Sequence, residues 1–214
     1  MGQVDLKEAR KLIEGAKQSI LFLMFNPGPR DTLLNSIIDH ARAGVAGRRL
    51  YIRGAINQDP STTKTPVELF ANANRVKADF EVVLPAGIDK PTDWFRAELK
   101  KLAGTFAMVH SKVVLVDPTG PNPIVLTGSH NLGPKASGTN DENLLIIRGA
   151  RELAPAYATN IMSVYNQYRW RYRRQTQKPA KKRWDGLVDR DDWQKGYLKP
   201  GSEALREMKF WVGE

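Results

Sequence analysis

The amino-acid sequence predicts an α/β fold, a mixed sheet flanked by helices, with a basic C-terminal extension. Three observations predict it. Apolar runs of strand length alternate with stretches whose apolar residues recur every three or four positions. The first two strand runs are separated by a helical pattern, the spacing of a βαβ unit, which brings parallel pairing with the helix packed on the sheet. Two later runs are joined by a short loop rich in Pro and Gly, which brings antiparallel pairing.

In chain order, Asp5 to Gln18 reads as a helix. Leu6, Ala9, Leu12, Ile13 and Ala16 share one face, and Asp5 suits the N-cap. Ser19 to Phe25 (SILFLMF) is continuously apolar, as a strand buried on both faces is. NPGPR is a turn, and Leu33, Leu34, Ile37, Ile38 and Ala41 mark a second helix ending near Gly44. RRLYIRGA, Arg48 to Ala55, is the second strand, Asn57 to Pro66 a polar loop, and FEVVLP a third strand. Trp94, Phe95, Leu99 and Leu102 suggest a helix after Thr92. Ser111 to Val116 and Pro123 to Thr127 are strands joined by the loop Asp117-Pro-Thr-Gly-Pro-Asn, and Leu144 to Ile147 is one more. Ala158 to Arg169 is helical, with Ile161, Val164, Tyr165 and Tyr168 on one face. Past Lys178, Pro179, Gly186, Gly196, Pro200 and Gly201 interrupt the pattern, and Ser202 to Val212 forms a short amphipathic helix carrying Phe210 and Trp211. A catalytic domain over residues 1–170 and an extension over 171–214 follow from this reading.

The 214 residues suffice for one sizeable domain, and 41% hydrophobic residues is a globular value. There is no cysteine, which excludes disulfide scaffolds, thiolate metal sites and thiol nucleophiles. The sequence shows neither a signal peptide nor a transmembrane segment, so the cytoplasm is the default expectation. The net charge of +10 biases the protein toward polyanions, nucleic acid or anionic lipid.

Three segments carry chemistry. His110-Ser-Lys112 is followed after four apolar residues by Asp117. On a strand, period-two alternation puts His110 and Lys112 on the same face, a nucleophilic imidazole beside a phosphate-binding ammonium. Gly128-Ser129-His130-Asn131 closes the next strand, where Gly permits close approach and Ser129 and Asn131 supply neutral donors for phosphoryl oxygens. Asn140-Asp141-Glu142-Asn143 precedes the last buried strand, and a carboxylate there suits the second nitrogen of the imidazole.

HSKVVLVD followed by GSHN, with NDEN downstream, resembles the phospholipase D superfamily, whose signature is H-x-K-x4-D and then G-S-x-N. In coarse order of elements the resemblance covers roughly residues 4–170. It implies a metal-independent phosphodiesterase without cofactor that works by ping-pong chemistry. His110 attacks phosphorus to form a phosphohistidine, and a second His protonates the leaving oxygen and then activates water or an alcohol. Lys112, Ser129 and Asn131 are then the ligands of the phosphoryl oxygens, Glu142 orients His110, and Asp117 matches the motif in a structural role.

The chain departs from the family in carrying one motif where an active site needs two. His40, in DHARAG, has no Lys two residues on. The second motif is expected from a homodimer mate, His110 facing His110 across a shared cleft, or from a missing N-terminal half of a longer enzyme. His130 reads as structural, and His40 as a solvent-exposed or packed helix residue. Three widely spaced His without Cys give no metal set, and Asp185, Asp189, Asp191 and Asp192 lack EF-hand spacing and read as a capped turn before Trp193.

Arg169 to Trp184 holds eight Lys or Arg and no acid. Trp170, Arg171, Arg173, Arg174, Lys181, Lys182 and Trp184 are its candidates for binding nucleic acid or an anionic surface, the cations on phosphates and the aromatics on bases or at a lipid interface. The favoured substrate is DNA or RNA. The alternative is a phospholipase D or phosphatidyltransferase acting on lipid headgroups, and a silent binding module is disfavoured by the intact His-Lys-Ser-Asn-Glu set.

Overall fold

The computed structural model describes residues 4–47, 49–62, 79–85, 108–176 (backbone only over 172–176) and 190–213. The chain divides into two compact units, Met1–Asp89 with Gly104–Gln177, and Lys90–Ala103 with Lys178–Glu214. The expected helix after Thr92 and the side chains of Lys181, Lys182 and Trp184 lie outside the described residues.

In the first unit the described elements are α1 (Val4–Glu14), β1 (Ser19–Met24), α2 (Leu33–Ala43), β2 (Tyr51–Ile56), β3 (Asp79–Val83), β4 (Lys112–Val116), β5 (Ile124–Gly128), α3 (Pro134–Thr139), β6 (Leu144–Arg148) and α4 (Leu153–Thr176). The strands form one sheet in the order β3-β2-β1-β4-β5-β6. β1, β2 and β3 pair in parallel, whereas β4 pairs antiparallel with both β1 and β5, and β5 with β6. The sheet is therefore mixed, half parallel layer and half meander, joined at the β1–β4 seam.

The central strands carry the core. Every residue of β1 and β2 is buried, which is why β1 reads as an unbroken apolar run. Helices α1 and α2 cover one face through Leu6, Ala9, Ile13, Leu33, Leu34, Ile37 and Ile38, all buried against Ile20, Phe22, Met24, Ile52 and Val114. Helix α1 stops four residues before the expected end, because Gly15 is a poor helix residue. Asp5, expected at its N-cap, lies in the first turn and accepts the Leu6 N–H (2.8 Å). Helix α2 starts at a capping box in which Thr32 and Asn35 satisfy each other's backbone N–H, and it ends at Gly44, whose N–H donates to His40 O. The His40 ring is spent structurally, Nε2 donating to Ala16 O (3.0 Å).

Helix α4 lies against β1, β2, β3 and β4. It docks through polar groups as well as Ala154, Ala158 and Ile161. The buried Tyr165 hydroxyl donates to Glu81 Oε2 (2.9 Å), and Arg169 Nε lies 3.2 Å from the same oxygen. Burial, more than its charged neighbours, pushes the Tyr165 phenol far above its usual value, so it remains a donor. On β2, the fully buried Arg53 donates to Asp79 O (2.8 Å) and pairs with Asp79 Oδ1 (3.1 Å). Helix α4 starts five residues earlier and ends seven later than the Ala158–Arg169 stretch expected, running unbroken through residue 170. Its added last turns, RYRRQT, lack an apolar stripe but include Arg and Gln, good helix formers. Among the described residues no helix is long and apolar enough to cross a membrane.

The seam is fastened by Asp117. This residue adopts a left-handed conformation (φ 47), and its N–H donates to Ser19 O. Its carboxylate accepts three backbone N–H groups, from Lys17 (2.9 Å), Gln18 (2.8 Å) and Ser19 (2.9 Å). The motif aspartate thus ties the start of β1 to the end of β4, away from the cleft. Asp117→Ala strands those donors and is expected to lower stability by about 3 kcal/mol. Asp117→Asn, which keeps one acceptor oxygen and tolerates the left-handed backbone, should lose roughly half that. Urea unfolding checks both. A loss below ~0.5 kcal/mol for the Ala variant contradicts the clamp.

In the second unit, α5 (Gln194–Tyr197) and α6 (Glu203–Val212) are described. Ser202 caps α6 by accepting the Leu205 N–H, and Phe210 and Trp211 meet edge to face (5.1 Å between ring centroids).

Candidate active site

The register brings one end of each central strand to a common rim. Met24 pairs with both Ile56 and Lys112, Val113 with Thr127, and Gly128 with Leu144. The carboxyl ends of β1, β2 and β5 therefore meet the amino ends of β4 and β6. A cleft of about 690 Å³ opens there, lined by His110, Lys112, Ser129, Asn131 and Glu142, among others. All five residues assigned to the reacting centre from sequence share this one cavity.

His110 stands two residues before β4 rather than on it, and is exposed. Its segment is held from both sides. Asn57 Oδ1, just past β2, accepts the Val109 N–H (3.1 Å), while Tyr168 on α4 donates its hydroxyl to Met108 O (3.2 Å). The Phe25 ring, just past β1, lies 4.5 Å from the imidazole centroid and 4.7 Å under the Lys112 ammonium. Lys112 Nζ lies 3.2 Å from each ring nitrogen and donates to His110 O (2.8 Å). The ammonium can thus donate to whichever ring nitrogen carries the lone pair. Desolvation in the cleft pulls the Lys112 ammonium below its usual range, and the charge of Glu142 acts against that fall.

On the facing segment, Gly128 has φ 141, and a Cβ there would lie 2.5 Å from Asn143 Oδ1 and closer still to Asn143 O. Only glycine lets the chain pass so close. Ser129 N donates to Asn143 Oδ1 (3.2 Å), and Asn143 N donates to Ser129 Oγ (3.0 Å). That exchange fixes Ser129 Oγ as an acceptor and leaves its hydroxyl hydrogen to be donated into the cleft.

His130 points inward and is buried. Its Nδ1 accepts the Leu132 N–H (2.9 Å), so the ring hydrogen sits on Nε2, 3.0 Å from Ser137 Oγ and 3.2 Å from Asp5 Oδ2. Burial alone would push the Asp5 carboxyl up, but the Leu6 N–H, Ser137 and His130 outweigh it and hold Asp5 below its usual value. This web pins Leu132 in the left-handed region (φ 60), a strained turn that sets Asn131 at the cleft. Glu142 completes the turn, accepting the Asn131 N–H (3.0 Å) on one oxygen and the Asn140 side chain (2.7 Å) on the other. Among the described residues Glu142 makes no hydrogen bond to His110.

Sequence reasoning passed over Phe25 and Asn57, and gave Asn143 no role of its own within the NDEN segment. The first two were findable in principle, since they directly follow the carboxyl ends of parallel strands, where sites of open α/β sheets gather. Of the basic stretch, Trp170 and Arg171 are half-buried on α4, with the Arg171 guanidinium 5.7 Å from the Tyr168 ring centroid. Arg173 and Arg174 fall on its last turns. Among the described residues no three His, Asp or Glu side chains are grouped to hold a metal ion.

Fold and cleft together define a phospholipase-D-like domain. Residues 9–165, most of the chain, match the family described as cardiolipin synthase, PLD-like domain, and the chain belongs to that family. Two solved structures share the fold. NucT from Helicobacter pylori is similar at 16% identity with a TM-score of 0.53, covering 78% of this chain and 90% of its own. Nuc from Salmonella typhimurium, a phospholipase D family member, is similar at 20% identity with a TM-score of 0.51, covering 75% and 86%. No curated protein matches the chain.

Proposed function

We propose that the chain is a metal-independent phosphodiesterase acting through a phosphohistidine at His110, and that its substrate is DNA or RNA. The observation that carries the reading is the His110 imidazole with the Lys112 ammonium 3.2 Å from its nitrogens, in one cleft with Ser129 and Asn131. The imidazole lone pair attacks phosphorus, the P–N bond forms and the P–O bond to the leaving group breaks. Lys112, Ser129 and Asn131 take the charge on the non-bridging oxygens. A second imidazole gives its proton to the leaving oxygen and then takes one from the water that hydrolyses the phosphohistidine. Glu142, which lines the cleft and holds Asn131 and Asn140, is assigned to orient the imidazole once substrate is bound.

The second imidazole is His110 of a second copy, so the active species is a homodimer; a missing N-terminal half is the other source. The net charge of +10 and the basic stretch from Arg169 favour nucleic acid. Trp170, Arg171, Arg173, Arg174, Lys181, Lys182 and Trp184 are assigned to its backbone and bases. The family description, which names a cardiolipin synthase, keeps a lipid headgroup as the second reading.

Incubation with labelled plasmid, RNA and phosphatidylcholine in EDTA tests the proposal. Cleavage of a nucleic acid is expected, by a species sedimenting at twice 24.0 kDa. Choline release without nucleic-acid cleavage replaces it with the lipid reading, and activity lost in EDTA and restored by a divalent ion ends the metal-free mechanism.

A further inference from the structure

Helix α4 supplies part of the cleft wall through Tyr157 and Asn160. Tyr157 is half-buried and Asn160 exposed, and neither side chain makes a hydrogen bond among the described residues. A phenol and an amide, both uncommitted, thus stand in the same cavity as the phosphoryl-binding groups. Positions 157, 160, 164, 168 and 171 recur at intervals of three or four and share one face of α4. On that face Tyr168 bonds Met108 O, two residues before His110, and Arg171 lies against the Tyr168 ring. The face therefore runs from the cleft, past the nucleophile's segment, to a cation of the basic stretch, a length of about 21 Å.

At about 690 Å³ the cleft is in the range of sites that hold a drug-sized ligand, more than a bare phosphodiester group needs. Among the described residues its lining is largely polar, with Val113 the one aliphatic side chain other than those of lysine and threonine. We propose that Tyr157 and Asn160 form a nucleoside subsite beside the phosphoryl site. The Tyr157 ring offers a face to a base, the Asn160 amide offers a donor and an acceptor to the base edge, and Tyr168 and Arg171 continue the path of one strand. The proposal rests on the nucleic-acid phosphodiesterase reading above.

Two esters with the same leaving group test it, thymidine 5′-(p-nitrophenyl phosphate) and methyl p-nitrophenyl phosphate. The measured quantity is the ratio of their kcat/KM values, which cancels any general loss of fold or chemistry in a variant. In the wild type the ratio should favour the thymidine ester. It should fall about tenfold in Tyr157→Ala and severalfold in Asn160→Ala, and stay near wild type in Tyr157→Phe, which keeps the ring face. A ratio unchanged in Tyr157→Ala overturns the subsite, as does a wild type with no thymidine preference that still hydrolyses the methyl ester. An unchanged ratio with a selective loss on short-chain phosphatidylcholine gives the wall to a lipid headgroup instead. A wild type that hydrolyses neither ester overturns the phosphodiesterase reading itself, and the subsite with it.

Discussion

His110→Ala is expected to slow hydrolysis of bis-p-nitrophenyl phosphate at least ~10²-fold while leaving the fold intact. The imidazole is exposed at the cleft, and its side-chain neighbours are Phe25 and Lys112, not the core. Thermal unfolding should therefore shift by no more than about 2 °C, as for a surface substitution. Initial rates and a melting curve on the same preparation settle the matter. Residual activity above roughly a hundredth of wild type means that no covalent bond to His110 lies on the pathway. A large fall in melting temperature would make the lost rate uninterpretable as chemistry and would instead give His110 a packing role.

Gly128→Ala should have the largest effect of any single methyl group added at the cleft. The new Cβ would run into the carbonyl of Asn143, a backbone atom just before the neighbouring strand that cannot swing aside, and φ 141 is itself strained for alanine. Steric overlap and backbone strain together are expected to cost on the order of 4 kcal/mol. Melting should fall by roughly 8–16 °C, and turnover should drop as well, because the displaced strand carries Ser129. Differential scanning calorimetry beside an activity assay reads both. If Gly128→Ala melts within about 2 °C of the wild type, the close passage of β5 over Asn143 is wrong.

The strands were legible because each is an apolar run bounded by Pro, Gly, Asn or Asp, and β1, β4, β5 and β6 fall within a residue or two of the expected positions. Strand alternation put His110 beside Lys112, the family resemblance added Ser129, Asn131 and Glu142, and all five line the cleft. Local pattern could not show the bonds that span the chain. Nothing near Asp117 reveals that its partners are Lys17, Gln18 and Ser19. Arg53, in the middle of an apolar strand, gives no sign that Asp79 neutralises it in the core. Helix α3, PKASGT, is one short turn pair with an internal Gly and no apolar period, so it was invisible to periodicity. Glu142 was expected to turn toward His110, yet its hydrogen bonds go to Asn131 and Asn140, a choice set by the tight turn at Leu132.

The β1–β4 seam also bears on how such a domain can change over time. Pairing Met24 with Lys112 closes a connection of roughly 90 residues, whereas the β4–β5 hairpin closes fewer than ten. Loop-closure entropy grows with the logarithm of length, so the seam costs only about 2 kcal/mol more than the hairpin, and the three bonds to Asp117 offset that. Doubling the chain between the two strands would add only ~0.6 kcal/mol. His110 would not feel the added length, because Asn57 and Tyr168 grip residues 108–109 from outside the sheet. Insertions between β3 and β4 are therefore an inexpensive route for the chain to grow, with His110 and Lys112 held in place.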